Sequence, residues 1–164
     1  MTKESIKFAL KEAIVSLVAT IIICGVLNVF TIKDGCTLAA LAAELPIGIL
    51  ITGALCCSLQ LFMRKGAVKK GAVPPMGDVN AQVAYTLIPK NSVVFIITIA
   101  VIAFVLFACA PVGLFAVVAP EFYFAKFVSI ALRTVLSGLA AGYATFHGIV
   151  FFCAKFQAAL ENKA

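Results

Sequence analysis

Charged side chains are scarce in this sequence. Asp, Glu, Lys and Arg make up 12% of its 164 residues, whereas a soluble domain usually carries about a quarter. Hydrophobic residues make up 63% of the chain, and the mean hydropathy is +1.14. This shortage of charge excludes a soluble fold.

The chain also lacks the residue combinations of common catalytic, metal-binding and disulfide-bonded sites. No two of its six cysteines are spaced as C-x-x-C, and the single histidine is not set among them as a zinc ligand would be. There is no Ser/His/Asp set, no close pair of carboxylates and no phosphate-binding glycine loop. We therefore expect no enzyme, no cofactor and no metal site. The cysteines, which we interpret as small apolar packing residues, are Cys24, Cys36, Cys56, Cys57, Cys109 and Cys153.

Four apolar runs are each long enough to cross about 30 Å of hydrocarbon, which takes about 20 helical residues. They are Ala13–Phe30, Thr37–Met63, Ser92–Val118 and Phe127–Cys153. The sequence thus predicts an all-α membrane protein with four transmembrane helices. Because little chain remains outside the helices, any functional site must lie between them or at their ends.

The first run could instead belong to a cleaved signal peptide. Lys3, Lys7 and Lys11 form a basic start, and Ala40 and Ala42 have the small-x-small spacing of a cleavage site. However, the run has 18 residues, which is long for a signal-peptide core, and the alanines lie about ten residues beyond its end. We therefore interpret the run as a transmembrane helix.

Lysine and arginine are distributed unequally between the two sides of the predicted helices. Only Lys33 and Lys126 flank one side, and Arg133 lies inside a run. The other ten are Lys3, Lys7, Lys11, Arg64, Lys65, Lys69, Lys70, Lys90, Lys155 and Lys163. The positive-inside rule then places both termini in the cytoplasm, with the helices in the cell (inner) membrane. We expect the basic side to contact anionic lipids of the bilayer and no nucleic acid.

The chain divides into two helix pairs joined by one polar segment. Residues 1–63 form the first hairpin unit, residues 64–91 a basic cytoplasmic loop, and residues 92–164 the second hairpin unit. Since both pairs start and end in the cytoplasm, we predict a parallel internal repeat. A shift of 89 residues aligns Ala40, Glu44, Gly48, Thr52 and Gly53 with Ser129, Arg133, Ser137, Ala141 and Gly142. Prolines and glycines oppose a long helix in the loop, apart from a short interfacial helix over Val79–Leu87.

Glu44 and Arg133 are ionisable residues inside otherwise apolar runs. Each belongs to a row of polar or small residues spaced by four, which places them along one helix face. The rows are Ala40, Glu44, Gly48, Thr52, Cys56 and Gln60 in the second run, and Ser129, Arg133, Ser137, Ala141 and Thr145 in the fourth. We interpret each row as a seam packed against another helix, because small residues allow backbones to approach closely. Both charges lie roughly 10 Å below the outer helix ends, at about 1.5 Å per residue, so we predict a Glu44–Arg133 ion pair between the second and fourth helices.

The pair has three interpretations. It is a structural contact that holds the bundle together, the floor of an outward-facing pocket for a small ion or zwitterion, or two charges that reach the outer surface separately. In the pocket, Gly48 and Ser137 would bind the solute together with the pair, and Asn28 would hydrogen-bond to it. The matching functions are a transporter or channel-like protein for an ion or polar solute, and a structural or accessory membrane subunit. A homodimer is the alternative to a monomer in both cases.

Four features of the sequence form a recognisable set. They are Glu44-Leu45-Pro46-Ile47 in the second helix, Asn28 at the end of the first, a basic inner loop, and Cys109-x-Pro111 in the third helix. Together they resemble a family of small bacterial membrane proteins of unknown function, whose members carry a two-helix unit once or twice. The resemblance covers nearly the whole chain. It implies a bacterial membrane protein with a duplicated hairpin, and it implies no activity. The fourth helix departs from the family pattern, because it carries Arg133 and no tryptophan near its start.

Overall fold

A computed structural model describes residues 1–77 and 91–162 of the chain. The described part contains four long helices: α1 (Lys3–Thr31), α2 (Leu38–Lys69), α3 (Ser92–Val118) and α4 (Lys126–Glu161). Each is long and apolar enough to cross a membrane, so the prediction of an all-α fold with four such helices is confirmed. The predicted interfacial helix over Val79–Leu87 lies outside the described residues.

Polar side chains fix the start of three helices. The Thr2 hydroxyl accepts a hydrogen bond from the Ser5 amide at the start of α1, and the Thr37 hydroxyl accepts one from the Ala40 amide at the start of α2. Asn91 caps α3 in the same way. These bonds satisfy amides that have no partner within the first turn of a helix.

The end of α2 differs from the sequence-based boundary. We placed the end of the second run at Met63, yet the helix continues to Lys69. It stops where Gly71 adopts a left-handed conformation, with φ at 66°. The Gly71 amide donates to the Val68 carbonyl and the Ala72 amide donates to the Ala67 carbonyl, both at 3.0 Å, which is the Schellman pattern of a helix end. The first residues assigned to the loop therefore belong to α2.

The helices pack in the order α1, α4, α2, α3. Helix α4 lies at the centre and packs extensively against both α1 and α2, while α3 packs mainly against α2. In the most apolar stretch of each helix, 67% of the residues of α4 are buried but only 6% of those of α1. Helix α1 is therefore attached to the bundle along a single side.

Small residues bring α1 and α4 close together. A methyl group at Gly142 of α4 would lie 3.2 Å from Leu17 Cβ and 3.3 Å from the Ala13 carbonyl oxygen of α1. The predicted row on the fourth helix is buried here, since Ser129, Ser137, Ala141 and Thr145 are all inaccessible or nearly so. The prediction that this row packs against another helix is confirmed.

Two clusters of buried apolar side chains lie in the described part, one towards each end of the bundle. Phe95 of α3 stacks on Phe151 of α4 with ring centroids 3.8 Å apart.

In α3, residues Val105–Cys109 are π-helical. The π segment ends two residues before Pro111, which has no amide proton to continue the α-helical hydrogen-bond pattern.

Two short strands join the turns between the helices. β1 (Cys36–Thr37) follows α1 and β2 (Tyr123–Phe124) precedes α4, and the strands pair antiparallel with Cys36 opposite Phe124. We call this end of the bundle the strand end. The opposite end, which holds the beginning of α1 and the end of α4, is called the terminal end.

Candidate functional site

A groove lies between α1 and α2 near the strand end. Both helices pack on α4 but make few contacts with each other, so α4 forms the floor of the groove. The cavity has a volume of about 190 Å³. It is lined by Cys24, Leu27 and Asn28 of α1, Glu44, Leu45, Gly48 and Thr52 of α2, and Arg133 and Ser137 of α4. All five residues that the sequence singled out as a candidate site are among them.

Glu44 and Arg133 form an ion pair at the side of this groove. Arg133 Nη1 donates to Glu44 Oε2, so the predicted contact between the second and fourth helices is present. The two side chains differ in exposure, since 63% of the Glu44 side chain is accessible but only 13% of the Arg133 side chain. The guanidinium is held within the bundle, and the carboxylate is open to whatever fills the groove.

Arg133 has hydrogen-bonding capacity beyond the ion pair. Its guanidinium carries five N–H donors, and it also contacts the thiol of Cys36, which lies 3.2 Å from the Ser129 hydroxyl. Arg133 Nε is buried and has no hydrogen-bond partner within residues 1–77 and 91–162. The donor set is therefore incompletely satisfied by the described protein atoms.

Asn28 lines the groove beside the ion pair but bonds to a different residue. Its side-chain amide donates to the Thr134 hydroxyl at 3.0 Å. Since Thr134 follows Arg133 in the chain, Asn28 still lies beside the pair and lines the groove. One turn earlier on α1, Cys24 lines the groove together with Ser137 of α4. The Asn28 bond attaches α1 to the floor of the groove.

The second-helix row is only partly packed against another helix: Gln60 is buried beside Gly148 of α4, but the members nearer the strand end are open. Glu44 and Gly48 are exposed and Thr52 is half-buried, and a methyl group at Gly48 would meet no other heavy atom within 4 Å. The face of α2 that packs into the bundle carries a different row, which includes Leu41, Leu45, Ile49, Gly53 and Cys57. That row lies one residue further along, about 100° around the helix. Glu44, Gly48 and Thr52 of the polar row therefore form the α2 wall of the groove.

A second ion pair lies at the terminal end of the same two helices. Arg64 Nη2 of α2 donates to Glu12 Oε2 of α1 at 2.6 Å, and Arg64 Nε donates to Gln60 Oε1 at 2.8 Å. The guanidinium also lies over the Phe8 ring, 5.5 Å from its centroid. Although Arg64 is charged, it is only 8% exposed. This cluster was not predicted from the sequence, because Arg64 lies in the segment that we assigned to the loop.

Helix α1 carries a polar row that the sequence analysis also missed. The row consists of Glu12, Ser16, Thr20, Cys24 and Asn28, spaced by four residues. Each of these is half-buried, while most of their apolar neighbours on α1 are exposed. The Thr145 hydroxyl of α4 donates to the Ser16 hydroxyl at 2.8 Å, and Cys56 of α2 lies near Ser16 and Thr20.

One interface between α1, α2 and α4 carries most of these polar residues. It includes the α1 row, the α2 row from Glu44 to Arg64, and three residues of α4. We call this set the polar seam. Its members on α4 are Arg133, Ser137 and Thr145, and it runs from the Glu44–Arg133 pair at one end to the Glu12–Arg64 pair at the other. The chemistry that the seam offers is hydrogen bonding and charge pairing. Within the described ranges, no three His, Cys, Asp or Glu side chains are arranged to hold a metal ion.

Comparison with protein-family models, with curated proteins and with solved structures gives no match to this chain.

Proposed function

We propose that this chain is a small integral membrane protein that binds a small ion or polar solute in the α1–α2 groove and transports it. One observation carries the proposal: a cavity of about 190 Å³ reaches Glu44, whose carboxylate is largely exposed while its arginine partner is held within the bundle. A pair that served only to hold α2 against α4 would need no cavity beside it.

The spacing of the two ion pairs supports a position across the bilayer. From Glu44 to Arg64, α2 rises roughly 30 Å at about 1.5 Å per residue, which equals the thickness of the hydrocarbon core. The large apolar side chains that α2 exposes all lie between these two residues: Ile47, Leu50, Ile51, Leu55, Leu59, Phe62 and Met63. Each ion pair would then lie near a boundary of the hydrocarbon, where charge costs less than at the centre.

The orientation proposed from the lysines puts the strand end outside and the terminal end in the cytoplasm. Lys65, Lys69 and Lys70 are exposed at the terminal end of α2, where they would contact anionic headgroups. The groove would accordingly open towards the outside of a bacterial cell membrane. The family resemblance, the bacterial origin and the orientation all stay predictions.

The chemistry of the groove favours a solute that carries both charges or a small ion. Arginine binds carboxylates through two parallel hydrogen bonds, and the exposed Glu44 carboxylate can accept from an ammonium group. A zwitterion could therefore take the place of the direct Glu44–Arg133 contact, with each charge facing an opposite one. The hydroxyls of Thr52 and Ser137 supply further hydrogen bonds.

The packing order supports the proposed internal repeat. If an axis along the membrane normal related the two hairpins, α2 and α4 would meet at the axis, α1 would pack on α4, and α3 would pack on α2. The observed contacts follow this pattern, and β1 and β2 pair with each other at equivalent places in the hairpins. Between α3 and α4, aromatic rings are in contact, such as Phe95 with Phe151 and Phe107 with Tyr143.

A structural or accessory subunit is the second candidate, because α2 and α4 pack closely along their own interface. The Glu44–Arg133 pair crosses that interface and would then fix the angle between the helices. In this case the groove would be filled by lipid or by another subunit, which includes a second copy of this chain.

Cysteine labelling separates the two functions. We would introduce Gly48→Cys into a chain whose six native cysteines are replaced, and treat intact cells with a charged, membrane-impermeant thiosulfonate. Gly48 lies about 15 Å along α2 from its start and faces open space. In a water-filled groove the new thiol reacts from outside, and a water-soluble zwitterion that binds there slows the reaction.

Gly113→Cys is the matched control. Gly113 also faces open space and lies about 8 Å from the strand end of α3, so it is less deep than Gly48 but outside the groove. We expect no reaction at Gly113. If Gly48→Cys is equally unreactive in a folded protein, the groove holds no water and the proposed function fails.

A further inference from the structure

We propose that the polar seam is the path by which the solute crosses the bundle, and that the Glu12–Arg64 ion pair is the gate that closes it on the cytoplasmic side. This inference rests on the proposed function of the groove. It assigns a role to a buried pair that the binding site itself does not use.

The seam is lined by polar groups along its length. Cys24 and Ser137 line the groove. From there towards the terminal end, the seam contains Thr20 and Cys56, and then Ser16 with Thr145. These groups come from three helices and recur about once per helical turn. Polar side chains inside membrane bundles typically mark the route of a substrate or an ion.

The space between α1 and α2 narrows from the strand end to the terminal end of the seam. At the strand end, α1 and α2 are far enough apart to leave the cavity. At the terminal end, the same helices are joined by the Glu12–Arg64 contact of 2.6 Å, and Arg64 is buried. The structure is therefore open at the end that faces outside and closed at the other, as an outward-facing state requires.

The Glu12–Arg64 contact can open without leaving Arg64 without a hydrogen-bond partner. If Glu12 moves away with α1, Arg64 keeps its hydrogen bond to Gln60 on its own helix. Its Phe8 contact, by contrast, belongs to α1 and would move with Glu12. A buried charge that loses all its partners is strongly destabilising, and the Gln60 bond avoids that outcome. Because α1 is attached to the bundle along one side only, it is the helix best able to move.

The test uses Gly48→Cys as a reporter, now labelled from the cytoplasmic side in inside-out vesicles. In the parent protein, we expect labelling from outside and little from the cytoplasmic side. In Glu12→Gln, the gate is weakened and we expect the labelling rate from the cytoplasmic side to rise by about tenfold or more. Glu4→Gln is the control, because Glu4 is an exposed glutamate about two turns earlier on the same helix.

A charge exchange keeps the test valid if a single variant folds poorly. Glu12→Arg combined with Arg64→Glu restores an ion pair at the same place, and we expect cytoplasmic labelling to fall back to the parent level. Folding is checked by elution as a single species in gel filtration. A folded Glu12→Gln variant with unchanged cytoplasmic labelling overturns the gate, while labelling of the parent from outside leaves the proposed groove intact. Absence of outside labelling in the parent would instead refute the groove.

Discussion

The strength of the Glu44–Arg133 interaction reports what fills the groove. The perturbation is a double-mutant cycle of Glu44→Gln, Arg133→Gln and the double variant, and the measured quantity is the interaction term in the free energy of unfolding. A neutral glutamine preserves the approximate shape of each side chain and removes its charge. The term therefore isolates the charge pairing from the packing.

The expected magnitude follows from the exposure of the two side chains. Exposed ion pairs contribute about 0.2–1 kcal/mol, whereas breaking a fully buried pair costs about 3–5 kcal/mol. With 63% of Glu44 accessible and 13% of Arg133 accessible, a water-filled groove places this pair between the two classes. We expect an interaction term of about 1–2 kcal/mol.

The assay is equilibrium unfolding in mixed micelles of dodecyl maltoside and SDS. Since the chain has no tryptophan and three tyrosines, near-ultraviolet circular dichroism of the tyrosines is a suitable signal. A term within about 0.3 kcal/mol of zero would mean that the two residues act independently, which refutes the contact. A term above about 3 kcal/mol would indicate a dry, lipid-filled groove and would refute the reasoning from exposure.

Three further predictions concern helix packing and topology. Gly142→Leu should force α1 away from α4 and lower the free energy of unfolding by about 1–3 kcal/mol, measured by the same unfolding assay, whereas Gly113→Leu, on an open face, should leave stability nearly unchanged. Asn28→Ala removes the amide that bonds to α4 and should cost about 0.6 kcal/mol; a loss above 2 kcal/mol would contradict this single-bond account. In a cysteine-free background, a cysteine at Asp34 should react with impermeant reagents only from outside the cell and one at Gly71 only from the cytoplasm, and the reverse pattern would overturn the proposed orientation.

The helices and the ion pair follow from local features of the sequence. The length of an apolar run is sufficient to predict a long helix, and the equal depth of Glu44 and Arg133 in their runs is sufficient to predict that they meet. The packing face of α2 is harder to predict, because two rows with the same spacing compete for it. The row of Leu41, Leu45 and Ile49 wins, since it buries more apolar surface than a row with glycine and threonine.

The groove and the second ion pair could not be predicted from residue spacing, because they depend on the separation of the helices and on where α2 ends. The groove exists because α1 and α2 both pack on α4 and make few contacts with each other. Glu12 and Arg64 both lie just outside the apolar runs, where charged residues are usually solvated. Arg64 can be buried because α2 continues to Lys69 and ends only at the turn around Gly71.

The pairing of α1 with α4 joins the first of the four described helices with the last of them. Ser16 and Thr145, which are hydrogen-bonded, are 129 residues apart, and roughly 130 residues are added between the end of α1 and the end of α4. At about 5–20 residues per second, α1 would wait roughly 6–26 s in the bilayer before its partner is complete. During that time its polar row lacks the α4 partners Ser137 and Thr145, and only the contacts with α2, such as Glu12 with Arg64, can form. A chain that stops before Lys126 would therefore contain three finished helices but lack the surface on which the first of them lies.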